Sequence, residues 1–228
     1  MQHIPIGSLV NVVAIIIGGF VGMAFRSRMP EGIRTIVFQG LGLSTLALGV
    51  SMSLKMQNIL IIIFSIVLGG IIGELCNLDK RLEQGAIYLK KKIKSKNELF
   101  VDGCMTATLL YCIGSMAIIG AFDEGLRGDP TILLTKSMMD GFAAIALGAS
   151  YGVGVVFSAL PVFIYQYGLT LFAIVLQPYF TQEIITQLTA TGGILIIGIS
   201  INILDLKQIK LSNMIPSLII VVILSVLF

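Results

Sequence analysis

The sequence has few charged residues. Asp, Glu, Lys and Arg make up only 12% of its 228 residues, whereas hydrophobic residues make up 56% and the mean hydropathy is +0.99. Soluble domains contain about 25% charged residues. A soluble core of this length could not bury so much apolar surface, so the surrounding solvent is expected to be lipid. The composition predicts one integral membrane domain that covers residues 1–228.

Histidine and cysteine are also scarce. The chain contains one histidine, His3, and three cysteines, Cys76, Cys104 and Cys112. One histidine cannot supply the usual acid–base or metal-binding groups, and the odd number and irregular spacing of the cysteines argue against a disulfide framework or a zinc site. The sequence also lacks the Walker, GxSxG, HExxH and DxxD motifs. We therefore expect no enzyme, no metal and no cofactor.

Apolar runs separated by polar turns predict eight transmembrane spans in an all-α helix bundle. In chain order they cover about residues 6–25, 36–54, 59–75, 99–122, 132–157, 162–180, 190–206 and 215–228. Spans five and six are separated only by the turn 158–161, so the count becomes seven if they form a broken or re-entrant pair. No basic segment precedes the first apolar run, so we expect the first span to remain in the mature protein.

The positions of the basic residues predict the orientation of the bundle. Cytoplasmic loops carry an excess of Lys and Arg. With both termini outside, 12 of the 15 Lys and Arg residues fall in cytoplasmic loops, and only Lys55, Arg127 and Lys136 lie on the outer side. We therefore predict a multi-pass protein with its N-terminus and C-terminus outside.

Most of these basic residues lie in a linker between spans three and four, residues 77–97. Leu82, Ala86, Leu89 and Ile93 recur there at helical spacing with basic residues between them. This pattern predicts an amphipathic cytoplasmic helix on an anionic membrane surface. Lipid headgroups explain the short basic stretch 90–96 better than a nucleic acid does, so no nucleic-acid partner is expected.

Glycine-rich runs predict close contacts between helices, because small residues let backbones approach each other in lipid. Packing within the chain is one interpretation, and the seam of a homodimer is the alternative. The glycines concerned are Gly18, Gly19 and Gly22 in span one, Gly69, Gly70 and Gly73 in span three, and Gly148 and Gly152 in span five.

A second pattern is a weak internal repeat. The run 46–52, LALGVSM, is similar to the run 195–201, LIIGISI, and each precedes a polar turn and another apolar span. In the predicted topology these two spans run in opposite directions. The similarity therefore predicts an inverted repeat that relates spans one to three to spans six to eight.

Span five carries two ionisable residues inside an apolar segment. Lys136 and Asp140 are four residues apart and share one face of a helix. An ionisable group deep in a membrane helix is unfavourable by about 2.5–3.5 kcal/mol, so it usually faces a cavity or a partner. The two side chains could simply neutralise each other. The functional alternative is a site where Lys136 keeps Asp140 ionised until a proton, a cation or a solute competes.

Other polar residues inside the spans are candidates for the same site. Asp102 lies early in span four, Asn11 in span one, and Tyr165 and Gln166 in span six. The amide and hydroxyl groups are equally consistent with hydrogen bonds that hold helices together. If span five breaks near Gly148 and Gly152, its freed backbone groups would line a site as well.

The segment from Thr106 to Gln166 resembles the domain of unknown function 554 family of bacterial membrane proteins. The resemblance is carried by the runs 114–122, GSMAIIGAF, 125–145, GLRGDPTILLTKSMMDGFAAI, and 152–166, GVGVVFSALPVFIYQ. It implies a bacterial inner-membrane location and no particular activity. It also draws attention to the residues of these runs, namely Asp129, Lys136, Ser137, Asp140, Gly141, Ser158, Pro161, Tyr165 and Gln166.

Three functions remain open. The first is a secondary transporter or exporter of a small solute or ion, with its site around spans five and six. The second is a membrane scaffold or partner subunit that transports nothing, and the third is an ion channel. The sequence names no substrate and no coupling ion.

Overall fold

The structure is a computed structural model, and it describes residues 5–26, 30–113, 115–176 and 180–227. Every regular element in these ranges is helical, which confirms the predicted all-α class. The elements are α1 (Ile6–Arg26), α2 (Glu31–Ser53), α3 (Ile59–Leu75), α4 (Leu78–Lys92), α5 (Phe100–Cys112), α6 (Ser115–Arg127), α7 (Thr131–Tyr151), α8 (Gly154–Phe157), α9 (Ala159–Leu176), α10 (Gln182–Ile203), a 3-10 helix (Leu211–Met214) and α11 (Ser217–Leu227).

Four segments of these ranges are long and apolar enough to cross a membrane. They are α1, α7, the stretch Gly154–Ala173 and α10. Two bent helix pairs, α3 with α4 and α5 with α6, raise the number to six if each pair forms one span. Length and composition therefore support a multi-pass helical protein with four to six spans, and the count of eight stays a prediction.

The turn between predicted spans five and six lies at Gly152 and not at the predicted position 158–161. α7 ends at Tyr151, and Gly152 has a φ of 82°, which only glycine adopts readily. Pro161 lies in the first turn of α9, where a missing backbone N–H breaks no helical hydrogen bond. Residues 158–161 therefore begin a helix and do not end one.

Three other predicted boundaries differ from the structure. Predicted span four is divided into α5 and α6, which meet at 61°. Residues 123–127, which lie between predicted spans four and five, belong to α6, and residues 182–189, which lie between predicted spans six and seven, belong to α10. Positions 27–29 of the first predicted loop, 177–179 of span six and 228 of span eight lie outside the described residues.

The chain divides into two compact units, and the single membrane domain stays a prediction. The first unit contains residues 1–38 and 86–177, and the second contains residues 39–85 and 178–228. In the first unit, α1 packs along α7 and also contacts α8 and α9. In the second unit, α3 packs against α11 and the 3-10 helix, and α10 contacts α11.

Glycines bring α1 and α7 into backbone contact. A β-carbon at Gly18 would overlap the backbone oxygen of Gly141, and one at Gly22 would overlap that of Ile145. From the other side, a β-carbon at Gly148 would lie 2.6 Å from the backbone oxygen of Gly19. These predicted packing glycines therefore face the chain's own helices. The same contacts show that α1 and α7 run parallel, as the predicted topology requires of spans one and five.

The second unit uses glycine in the same way. A β-carbon at Gly69 would lie 2.5 Å from Cα of Ser217, and one at Gly73 would overlap the backbone of Asn213. Gly70 is different, since its nearest neighbour is the side chain of Met214 at 3.9 Å. A homodimer stays a prediction, and it would need a surface other than these glycine contacts.

The helices paired by the predicted inverted repeat are neighbours within each unit. α1 contacts α9 in the first unit, whereas α2 contacts α10 and α3 contacts α11 in the second. All three pairs are antiparallel, as spans five apart are in any alternating multi-pass bundle, so the inverted repeat stays a prediction. For α2 and α10, the contacts Gly42–Leu204 and Gly49–Gly193 set the direction. For the other two pairs, one contact reaches the partner helix and the other reaches the short helix before it. These contacts are Asn11–Gln166 of α9 with Gly19–Val156 of α8, and Gly69–Ser217 of α11 with Gly73–Asn213 of the 3-10 helix.

The linker predicted between spans three and four contains the amphipathic helix α4. It follows α3 after a bend of 58°, and Asn77 at the bend has a left-handed φ of 52°. Apolar Leu82 and Tyr88 are exposed on it, as are the basic side chains of Lys91 and Lys92. An exposed helix of this kind is suited to the interface of an anionic membrane.

Anionic lipid is therefore expected to protect α4 from hydrogen exchange. Each Lys near an anionic surface contributes about 1 kcal/mol. We expect slower backbone exchange over α4 in nanodiscs that contain phosphatidylglycerol than in nanodiscs of phosphatidylcholine. Replacing Lys90, Lys91 and Lys92 together by Gln should remove most of this difference, whereas Lys55→Gln should preserve it. Equal exchange of the wild-type protein in both lipids would show that α4 does not bind the anionic surface.

Candidate functional site

Four of the six residues predicted for the site meet inside the first unit. Asn11 comes from α1, Lys136 and Asp140 from α7, and Gln166 from α9. Asn11 and Gln166 have no exposed surface, and Lys136 and Asp140 are 5% and 7% exposed. We refer to these four side chains as the buried polar cluster.

The amide of Asn11 links the three helices. Its Nδ2 donates one hydrogen bond to Oδ2 of Asp140 at 2.9 Å and another to Oε1 of Gln166 at 3.1 Å. One short side chain on α1 therefore connects α7 to α9. The glycine contacts between α1 and α7 make this possible, because they hold the two backbones close enough for Asn and Asp to meet.

Lys136 and Asp140 form a buried ion pair. Nζ of Lys136 donates a hydrogen bond to Oδ2 of Asp140, the same oxygen that accepts from Asn11. The two residues lie one turn apart on α7, where (i, i+4) side chains are neighbours. Nζ also lies 5.9 Å from the ring centroid of Tyr111 on α5, within the range of a cation–π contact.

The two remaining predicted residues lie outside the cluster. Asp102 is exposed on the first turn of α5, and the neighbouring Gly103 packs against Tyr151 at the far end of α7 from Lys136. Tyr165 is half-buried, and adjacent helical residues such as Tyr165 and Gln166 point about 100° apart. Asp102 therefore lies away from the contacts of Asp140, and Tyr165 makes no hydrogen bond to the cluster within the described residues.

The helix break lies too far away to line the cluster. Gly152 is 12 residues beyond Asp140, about 18 Å along α7 at 1.5 Å per residue. Asp140 lies within the continuous helix Thr131–Tyr151. The cluster is therefore made of side chains, and backbone groups freed at Gly152 do not contribute to it.

Sequence reasoning missed a second buried carboxylate, that of Glu124. This residue lies in the last turns of α6, is 1% exposed, and accepts a hydrogen bond at 2.6 Å from the backbone N–H of Gly7. Its carboxylate therefore caps the N-terminus of α1, where negative charge is favourable. Helical periodicity could have revealed it, because Ala117, Ala121 and Glu124 lie on one face of α6 and all are buried.

No group of three or more His, Cys, Asp or Glu side chains that could hold a metal ion occurs in the part of the chain that the structure describes. Asp140 and Glu124 contact helix α1 at different turns, through Asn11 and Gly7. The cluster itself supplies an ammonium, a carboxylate and two amides, which can form ion pairs and hydrogen bonds and, at the carboxylate, exchange a proton.

Comparison with known proteins places the chain in a family. The family described as "Protein of unknown function (DUF554)" matches residues 6–226. The chain belongs to the DUF554 family. This membership confirms the resemblance seen in the segment 106–166.

Two relatives align with nearly the whole chain. "Uncharacterized membrane protein YdfK" of Bacillus subtilis (strain 168) is 34% identical over 218 residues, which cover 94% of this chain and 93% of the relative. "Uncharacterized protein YqgA" of Escherichia coli (strain K12) is 30% identical over 218 residues, which cover 93% of each. No solved structure matches the chain. The description of the first relative supports a membrane location, whereas the inner membrane and the outside termini stay predictions.

Other residues of the DUF554-like runs lie on α7 beside the buried polar cluster or in the loop before α7. Ser137 donates to the backbone oxygen of Leu133 at 2.7 Å, and Gly141 faces Ala14 of α1. Asp129 lies in the loop before α7, where its side chain accepts hydrogen bonds from the hydroxyl and the backbone N–H of Thr131. These bonds hold the pKa of Asp129 below its usual range, so its carboxylate stays charged at the start of α7.

Proposed function

We propose that this DUF554 protein is a secondary transporter of a small solute or ion, and that the buried polar cluster is its coupling site. Asp140 is the group that takes up a proton or a cation, and Lys136 is its counter-ion. The observation that carries the proposal is the convergence of the ion pair with Asn11 and Gln166 at the junction of α1, α7 and α9. Buried ionisable groups in membrane helices are commonly part of ion or proton pathways.

Occupancy of Asp140 would change the contacts between the helices. With Asp140 ionised, its Oδ2 accepts from both Lys136 and Asn11 and so connects α7 to α1. A proton or cation on this carboxylate weakens both interactions and leaves the ammonium of Lys136 without its partner. The released ammonium can then bind an anionic group of a solute. A ligand that favours one arrangement of the helices shifts the population toward it.

A scaffold is the second candidate, and one observation favours it. The ion pair is already neutral and hydrogen-bonded within the chain, as it would be in a cluster that only joins helices. In that case the charges are dispensable, because a buried ion pair can often be replaced by uncharged side chains without loss of stability. Transport distinguishes the two candidates, since only a coupling site needs a group that exchanges protons.

Proton movement in proteoliposomes tests the proposal. The purified protein is reconstituted with a pH-sensitive dye inside the vesicles, and alkali cations, amino acids and carboxylates are then added outside in turn. We expect at least one solute gradient to drive proton movement with the wild-type protein. Asp140→Asn should abolish that movement, because the amide cannot exchange a proton, and the variant should still fold.

A matched variant separates loss of the site from loss of charge. Asp102→Asn removes one carboxylate from an exposed position of α5 and should preserve the proton movement. A scaffold would give no solute-driven proton movement with any of the three proteins. Passive ion flow without coupling to a solute would instead indicate an ion channel.

A further inference from the structure

Five buried polar atoms in the first unit have no hydrogen-bond partner within the described part of the chain. Their side chains are at most 1% exposed. Buried polar groups are nearly always hydrogen-bonded, either to protein or to ordered water. The atoms therefore require small polar partners inside the unit. They are Glu124 Oε2, Ser8 Oγ, Asn11 Oδ1, Gln166 Nε2 and Tyr111 OH.

Helix α1 connects the two buried carboxylates. The Glu124 carboxylate lies against the backbone N–H groups of Gly7 and Ser8, and Asp140 is bonded to Asn11 one turn further along. Asn11 is four positions beyond Gly7, so the points where the two carboxylates contact α1 are about 6 Å apart along the helix axis. One or two hydrogen-bonded water molecules can bridge such a distance, since an O–H···O bond spans about 2.8 Å.

Ser8 lies between Gly7 and Asn11 along the axis of α1. Ser8 is fully buried, its hydroxyl is unpaired, and it precedes Asn11 by three residues, so the two side chains lie on the same side of α1. A hydroxyl can both donate and accept a hydrogen bond, as a water molecule in a proton path must. The unpaired Oδ1 of Asn11 offers an acceptor at the end of the path next to Asp140.

We infer that Glu124 and Ser8 hold ordered water that carries protons to Asp140 from the N-terminal end of α1. The inference rests on the proposed function and adds the route by which a proton reaches the coupling group, Asp140. Glu124 is then a second proton-binding residue of the transporter. Its carboxylate holds the proton before it reaches the ion pair of Lys136 and Asp140.

The transfer conserves protons and charge. A protonated Glu124 gives its proton to the adjacent water, and the last water of the path gives a proton to Asp140, so the water is unchanged. Negative charge moves from Asp140 to Glu124, where the backbone N–H groups at the start of α1 stabilise it. The other charged groups nearby are Lys136 beside Asp140, and Asp123 and Arg127, which form an ion pair on α6 at 3.4 Å.

Substitutions at Glu124 and Ser8 test this route in the proteoliposome assay. We expect Glu124→Gln to slow solute-driven proton movement at least tenfold, because Gln cannot exchange a proton. Ser8→Val should slow this movement as well, since the methyl groups of valine displace water and form no hydrogen bond. Ser8→Ala leaves room for water and should act more weakly. Asp123→Asn is the matched control and should leave the rate unchanged.

The outcomes separate the route from the proposed function. Wild-type coupling with unaltered rates in Glu124→Gln and Ser8→Val would overturn the route alone. No solute-driven proton movement with the wild-type protein would overturn proton coupling at Asp140, and the route with it. Thermal unfolding of each variant reports folding, and Glu124→Asp, which keeps a carboxylate, should recover part of the rate if the effect of Glu124→Gln is due to proton exchange.

Discussion

Lys136→Met is expected to lower the free energy of unfolding by about 3–5 kcal/mol, because it leaves the Asp140 carboxylate buried without a counter-charge. Lys136 is the basic residue in contact with that carboxylate, and both side chains are almost fully buried. Asn11 still donates one hydrogen bond, but an amide carries no net charge. Unfolding of the purified protein in detergent, followed by temperature or denaturant, measures the loss.

A double variant identifies the origin of that loss. Lys136→Met combined with Asp140→Asn removes both charges, and we expect it to recover most of the lost stability. Lys55→Met is the control, since Lys55 is exposed and its removal should change stability little. If the single variant Lys136→Met is no less stable than this control, the ion pair does not hold the cluster together.

The same variants bear on function. The double variant should be stable yet unable to couple a solute to proton movement, because neither charge remains. A scaffold would tolerate it fully. In a coupling site, the double variant therefore keeps its stability but loses transport. In a purely structural ion pair, the double variant has no transport to lose and only its stability is at issue.

Part of the cluster could be predicted from sequence, for a local reason. Lys136 and Asp140 are one helical turn apart in an apolar run, so their pairing follows from helix geometry alone. Asn11 and Gln166 were candidates because they are polar residues in apolar spans. Their meeting at Asp140 could not be predicted, because it depends on which helices are neighbours and on the depth of each in the bundle.

Other features were misjudged because local signals conflict with tertiary contacts. Glu124 lies in a charged stretch that favours a loop. However, α6 continues through this stretch and places Glu124 against the start of α1. Pro161 suggested a turn, although proline is also favourable in the first turn of a helix. The chain reverses at Gly152 instead, where a positive φ is accessible.

The second large loss of stability is expected from substitution of a glycine in α1. Gly22→Ala is expected to destabilise the protein by about 1–3 kcal/mol, the usual range for overpacking. The new β-carbon would overlap the backbone oxygen of Ile145 and lie 2.7 Å from the backbone nitrogen of Ala149. Backbone atoms within a helix cannot move aside individually, so α1 and α7 would have to separate.

Gly168→Ala is the control for this prediction, because its effect on stability is expected to have the opposite sign. Gly168 lies within α9, and no atom would contact an added β-carbon within 4 Å. Alanine favours a helix over glycine by about 1 kcal/mol, so Gly168→Ala should be neutral or stabilising. Opposite shifts of the unfolding temperature would show that contact between the helices, and not helix propensity, decides the effect at Gly22. If both variants are stabilised, α1 and α7 do not approach each other at Gly22, and the short side chain of Asn11 would then lack the close helix contact that lets it reach Asp140.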